Sequence, residues 1–138
     1  MFTGLWSDKA FQSLHKGLDA AAERQRVMAH NLANVNTPNF KRSEVIFAES
    51  LRAALTRGGG LPLAATHPRH IGSQDQLAQA RHSVRRDRST TMRADGNNVD
   101  IEREMATLAS NQLQYNAMTQ LLNEKYGLLR YVIHEGRR

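Results

Sequence analysis

Three histidines carry the strongest hint of metal chemistry in this chain: His67 and His70, three apart in the run HPRH, and His82 not far beyond. Imidazole nitrogens at short spacing are common zinc ligands, but zinc also needs them deprotonated and fixed in tetrahedral geometry. No His-Glu-x-x-His helix and no carboxylate cluster accompanies them, and Pro68 argues against a ligand-bearing helix. A solvated loop with packing histidines is the expected role. Nucleophilic chemistry fares no better. Ser, His and Asp are all present, yet there is no Gly-x-Ser-x-Gly elbow and no pair of carboxylates away from helix starts. Gly58-Gly59-Gly60 lacks the Lys-Ser or Lys-Thr of a phosphate-binding loop and reads as a hinge. We expect no enzyme, no metal and no cofactor.

Arg81, Arg85, Arg86, Arg88 and Arg93 form a basic run in a chain of net charge +6, so binding to nucleic acid or an anionic membrane has to be weighed. The charge is concentrated in the middle: residues 41–98 hold ten Lys and Arg against five acids, the first forty residues carry +1, and the last forty carry zero. Single-strand binders interleave such cations with aromatics that stack on bases. Residues 56–98 contain no aromatic except histidine, and Asp75, Asp87 and Asp95 dilute the run. A solvated loop, or an electrostatic contact with an acidic neighbouring subunit, fits better than a nucleic-acid site. The rival function is a small basic coiled-coil nucleic-acid-binding protein, whose affinity would fall steeply with salt.

The elements that flank this middle zone are two long helices. Phe11, Leu14, Leu18, Ala21, Gln25, Met28, Leu32 and Val35 recur at alternating spacings of three and four, predicting a helix from about Leu5 to about Asn34, capped by Ser7 or Asp8 and stopped where Asn34, Asn36, Thr37 and Pro38 crowd together. A second series runs through Ile101, Met105, Leu108, Gln112, Tyr115, Thr119, Leu122, Tyr126, Leu129 and Ile133, with Met118, Leu121, Leu128 and Val132 as a further stripe beside it. Its start is marked by the turn Asp95-Gly96-Asn97-Asn98, by Asn98 or Asp100 as cap, and by Glu102 and Glu104 at the positive end of the dipole. Helices of roughly 45 and 55 Å imply an elongated protein. Phe40 to Leu55 reads as a short helical continuation through Val45, Phe47, Ala48, Leu51 and Leu55, broken at Gly58-Gly59-Gly60 and Pro62. The expected fold is mainly α: two terminal helices packed as an antiparallel or coiled-coil-like pair, with an irregular middle that is partly β or disordered. The zones are 1–40, 41–98 and 99–138.

With 138 residues, 40% apolar and only 6% aromatic, a thick self-contained core is not expected. Zero cysteines exclude disulfides and thiolate chemistry. No segment has the roughly 18 to 20 apolar residues of a membrane span, and Met1 to Ala10 lacks the pattern of a cleavable secretory signal.

The most unusual segment is His30-Asn31-Leu32-Ala33-Asn34-Val35-Asn36-Thr37-Pro38-Asn39-Phe40-Lys41. By residue chemistry it is a helix terminator, since short amides and a threonine supply a C-cap and an Asx-type turn. The same role is compatible with an assembly contact. The run NLANVNTPNFKR at the end of a long N-terminal helix resembles the signature of the flagellar rod, hook and axial protein family, whose members carry an ANxxTPGY-like motif. Asn39-Phe40 stands where that motif usually has glycine and tyrosine, a departure that keeps the aromatic and falls on the turn. The closing run GNNVDIEREMATLASNQLQYNAMTQLLNEKYGLLRYVI is similar to the last helix of the family's proximal-rod members, and THPRHI looks like a feature of their middle region.

The resemblance implies a structural subunit of the flagellar basal-body proximal rod. Its partners would be copies of itself and other rod subunits, the rod-base adaptor, the MS-ring protein, and the flagellar type III export apparatus that carries it to the periplasmic side without a cleaved signal; no nucleic acid and no small-molecule substrate is implied. The residues expected to pack in assembly are Leu14, Leu18, Met28, Leu32, Asn34, Asn36, Thr37, Pro38, Phe40, Leu108, Tyr115, Leu122 and Leu129.

Overall fold

The computed structural model describes residues 8–57, 76–89 and 91–134. In chain order these residues form α1 (Lys9–Ala33), β1 (Ser43–Ile46), α2 (Ala48–Arg57), α3 (Gln76–Gln79), β2 (Ser83–Arg86) and α4 (Ile101–Ile133). Asp8 caps α1, its carboxylate accepting the Ala10 N–H at 2.9 Å. Asp100 caps α4 by accepting from the Glu102 and Arg103 N–H groups at 3.0 and 3.3 Å. Ser7, the other cap candidate for α1, lies outside the described residues.

The long helices run antiparallel. Asp8 meets Lys125, Phe11 meets Tyr126 edge-on with ring centroids 5.4 Å apart, Arg24 reaches Gln114, and Asn31 reaches Glu104. Close approach depends on small residues of α1. A Cβ on Gly17 would sit 2.8 Å from the Met118 sulfur, and Ala20 and Ala21 are fully buried. At 33 residues α4 is about 50 Å long, against about 37 Å for the 25 residues of α1. Among the described residues the last printed contact with α1 is that of Tyr126 with Phe11, and Leu128 to Ile133 lie beyond it.

The seam on α4 differs from the apolar series read in the sequence. Glu104, Leu108, Asn111, Tyr115, Met118, Leu122, Lys125 and Leu129 are buried or half-buried at alternating spacings of four and three. Every second member, Leu108, Tyr115, Leu122 and Leu129, belongs to the expected series, and Thr119 of that series is half-buried beside them. The others displace Ile101, Met105, Gln112, Tyr126 and Ile133, all of which are exposed. Polar residues are admitted to the seam because each finds a partner across it: Asn111 donates to the Ala21 carbonyl at 2.9 Å, Lys125 to Asp8 at 2.5 Å, and Glu104 accepts from Asn31 and Arg42. On α1, Gln25 points to solvent, while Val27 and Asn31 are buried alongside Phe11, Ala21 and Met28.

The middle is more ordered than expected near α1. Val45 lies in a strand and not in a helical continuation: Ser43–Ile46 pairs antiparallel with Ser83–Arg86, Val45 opposite Val84. A helix cannot begin at Phe40 because the Ser43 backbone is held by the Asn31 side chain, which donates to its carbonyl at 2.8 Å and accepts from its N–H at 2.9 Å. The helix starts at Ala48 instead, and Leu51 and Ala54 pack on Leu77 and Ala80. Gly58-Gly59-Gly60, Pro62, His67 and His70 lie outside the described residues, whereas His82 is exposed.

The Lys125–Asp8 pair holds the Asp8 carboxyl below its ordinary value, chiefly through the lysine hydrogen bond. A carboxylate depressed on folding contributes only while ionised, so this contact is lost as the pH falls below about 4. Hydrogen exchange should therefore show the first turn of α1 fraying in acid before the Asn31 end does.

Candidate assembly site: an asparagine lock and an unpaired helix face

The asparagine-rich end of α1 and the start of α4 bind each other. Asn97 is fully buried, and its amide nitrogen donates to three carbonyls at the end of α1: Asn34 at 3.1 Å, Val35 at 3.0 Å and Thr37 at 2.9 Å. Helix ends leave carbonyls without intrahelical partners, and here one side chain gathers them. The Asn97 Oδ1 accepts the Val99 N–H at 2.7 Å, which fixes the amide's orientation. Asn98, 1% exposed, accepts the Arg42 N–H at 2.7 Å and donates to the Asp87 carbonyl at 3.0 Å, tying the strand pair to α4. Deeper still, Glu104 accepts from Arg42 Nε at 3.0 Å and from Asn31 at 3.2 Å. The most completely buried large side chains are thus Asn31, Asn97 and Asn98, and the junction is specified by hydrogen bonds more than by apolar packing.

Asn39 explains how this chain departs from glycine at that position. Its φ of 60° is left-handed, a conformation that asparagine tolerates better than other non-glycine residues, and its N–H donates to the Asp95 carbonyl at 2.8 Å. The facing turn has no such latitude. Gly96 has φ 80°, and a Cβ there would lie 2.6 Å from Asn39 Oδ1. We expect Gly96→Ala to lower stability by about 2 kcal/mol, combining left-handed strain with the clash, while Asn39→Gly changes it by less than about 0.5 kcal/mol. Chemical denaturation of the two variants measures the contrast.

The residues expected to pack in assembly divide between this lock and the helix pair. Met28 is buried; Leu14, Leu18, Leu32, Leu108, Tyr115, Leu122 and Leu129 are half-buried. Asn34 is occupied within the chain, donating to the His30 carbonyl and accepting from Thr37 Oγ1. Phe40 folds back on His30, ring centroids 5.5 Å apart. Asn36, Thr37 and Pro38 face solvent. Residues outside the expected set matter as much. Asn31, Asn97, Asn98, Arg42 and Glu104 build the lock, and their sequence signal is the position of two asparagine-rich turns at the ends of the two helices.

Away from α1, α4 presents apolar side chains with no cover among the described residues: Leu113, Leu121, Leu128 and Tyr131 are each more than half exposed, and Val132 and Ile133, equally exposed, continue the seam side of the helix beyond the last contact with α1. Exposed apolar stripes of this kind are common at interaction surfaces. Among the described residues no group of His, Asp or Glu is arranged to hold a metal, and no helix is long and apolar enough to cross a membrane.

Comparison with known proteins agrees with this reading. The family model described as "Flagella basal body rod protein" matches residues 11–41, the helix and turn that end in the lock. The chain is 33% identical to the flagellar basal body rod protein FlgB of Bacillus subtilis over 91% of this chain and 94% of that protein. It is 37% identical to FlgB of Borreliella burgdorferi over 76% and 81% of the two chains, and 32% identical to FlgB of Salmonella typhimurium over 88% and 91%. With the lock at the matched motif and near full-length similarity on both sides, the chain belongs to the FlgB family of flagellar basal body rod proteins.

Proposed function

We propose that this chain is a structural subunit of the proximal rod in the bacterial flagellar basal body, joining other rod proteins and copies of itself in the helical shaft that transmits torque for motility. The observation that carries the proposal beyond family membership is the face of α4 left uncovered among the described residues, with Leu121 51% and Leu128 66% exposed. Burying one such leucine against a neighbour contributes about 1.5 to 3 kcal/mol. Contacts of this kind that do not close on themselves generate helical assemblies. The role is mechanical, not catalytic. Its neighbours at the base of the rod are the rod-base adaptor and the MS-ring protein, and it reaches the periplasmic side through the flagellar type III export apparatus.

A strain lacking the chain should not swim and should retain basal bodies without rods, and supplying the chain in trans should restore both. Complete rods in the deletion strain would contradict the assignment.

A further inference from the structure

The arginines of the middle zone do not lie on an open loop. Four of them, Arg42, Arg85, Arg86 and Arg88, join Arg103 of α4 in lining a cleft of about 480 Å³ between the strand pair and the first turns of α4. Two of them are already committed to carboxylates: Arg85 to Glu44 at 2.6 Å, and Arg42 to Glu104 at 3.0 Å. The other three, Arg86, Arg88 and Arg103, are exposed and have no carboxylate partner among the described residues, although all three border the same cleft. Of the two acids in the wall, Glu44 is paired with Arg85, and Asp87 accepts from the Ser89 N–H and hydroxyl at 2.9 and 2.6 Å. Two of the five guanidinium groups are thus paired, with Glu44 and Glu104, and Asp87 is held by Ser89, which leaves Arg86, Arg88 and Arg103 as three fork-shaped donors bordering one concavity. Guanidinium matches carboxylate geometry bidentately, so a concave group of three selects an anion with oxygens in pairs.

We propose that this cleft is the docking site for a short carboxylate-rich segment of a neighbouring protein subunit. The shape favours a short segment over a polyanion: a volume of about 480 Å³ holds a few side chains and not a continuous row of phosphates. The cleft also lacks any aromatic on which bases could stack. That the neighbour is a rod subunit rests on the assignment above; the preference for peptide carboxylates does not.

The test uses the full chain, with a synthetic ten-residue peptide of alternating Glu and Asp as probe, and with duplex DNA and phosphatidylserine vesicles as rivals. A cleft variant, Arg86→Gln with Arg88→Gln and Arg103→Gln, is compared with an equally neutralised control, Lys9→Gln with Arg52→Gln and Arg81→Gln, and both are checked for native circular dichroism. Peptide affinity should fall about tenfold in the cleft variant and less than about twofold in the control. Equal losses in the two variants would reduce the effect to net charge and overturn the site. Tighter, cleft-dependent binding of DNA or vesicles would overturn the peptide. In the source bacterium the cleft variant should produce fewer rods than the control. If deleting the whole chain left rods intact, the rod assignment would fail while the binding comparison still judged the cleft.

Discussion

Removing the Glu104 carboxylate by Glu104→Ala should destabilise the chain by about 3 kcal/mol, the largest loss expected from any single truncation. Glu104 is 2% exposed and takes hydrogen bonds from Arg42 and Asn31. Its removal strands a guanidinium that is 12% exposed and one N–H of the fully buried Asn31 amide, which keeps its bonds to Ser43. The loss falls at the low end of the range for broken buried pairs because Arg42 keeps a weaker approach to Glu44 at 3.8 Å. Glu104→Gln should cost about half as much, since one amide oxygen can still accept while its NH2 group faces other donors. Urea denaturation followed by circular dichroism reads both changes, and a shift below about 0.5 kcal/mol for the alanine variant would refute the lock. Because Asn31 also holds the Ser43 backbone, amide exchange should quicken in the strand pair as well as in the helices.

The second large effect separates assembly from stability. Leu121→Asp with Leu128→Asp changes residues that are 51% and 66% exposed, so the isolated chain should melt within about 1 kcal/mol of its normal stability. Rod formation should nevertheless be abolished, because each interface along the polymer would then bury unpaired charge where an aliphatic side chain belongs. Leu122→Asp is the informative contrast. Leu122 is half-buried in the seam with α1, so that change should lower monomer stability and assembly together. Normal swimming by the Leu121/Leu128 variant would show that this face meets nothing.

How much was legible in the sequence differs between the two faces of α4. Leu108, Tyr115, Leu122 and Leu129 recur every seven residues and fix one line of the seam unambiguously. The other line, Glu104, Asn111, Met118 and Lys125, has the same heptad spacing, but three of its four members are polar, so an apolar count passes over it in favour of Ile101, Met105 and Tyr126. Only tertiary partners, the Ala21 carbonyl and the Asp8 carboxylate among them, make those polar positions inward. The asparagine motif shows the same division. Its local chemistry announces a helix stop, and the stop is there; that Asn97, about sixty residues later, supplies the donor for it is a long-range fact invisible to spacing. A partly β middle was expected, but the place of its first strand was hidden for a related reason, since Ser43–Ile46 is too short for alternation to register and is set by the Asn31 side chain.

The most direct measurement is an image of the basal body purified from the source bacterium, at a resolution that allows this chain to be traced in the rod. It should show the junction of Asn97 with Asn34, Val35 and Thr37 preserved within each subunit, and Leu113, Leu121 and Leu128 buried against neighbouring subunits. A rod in which this chain is absent, or in which that face of α4 lies open to solvent, would contradict the assignment of the lock to the subunit's own fold and of the outward face to its assembly.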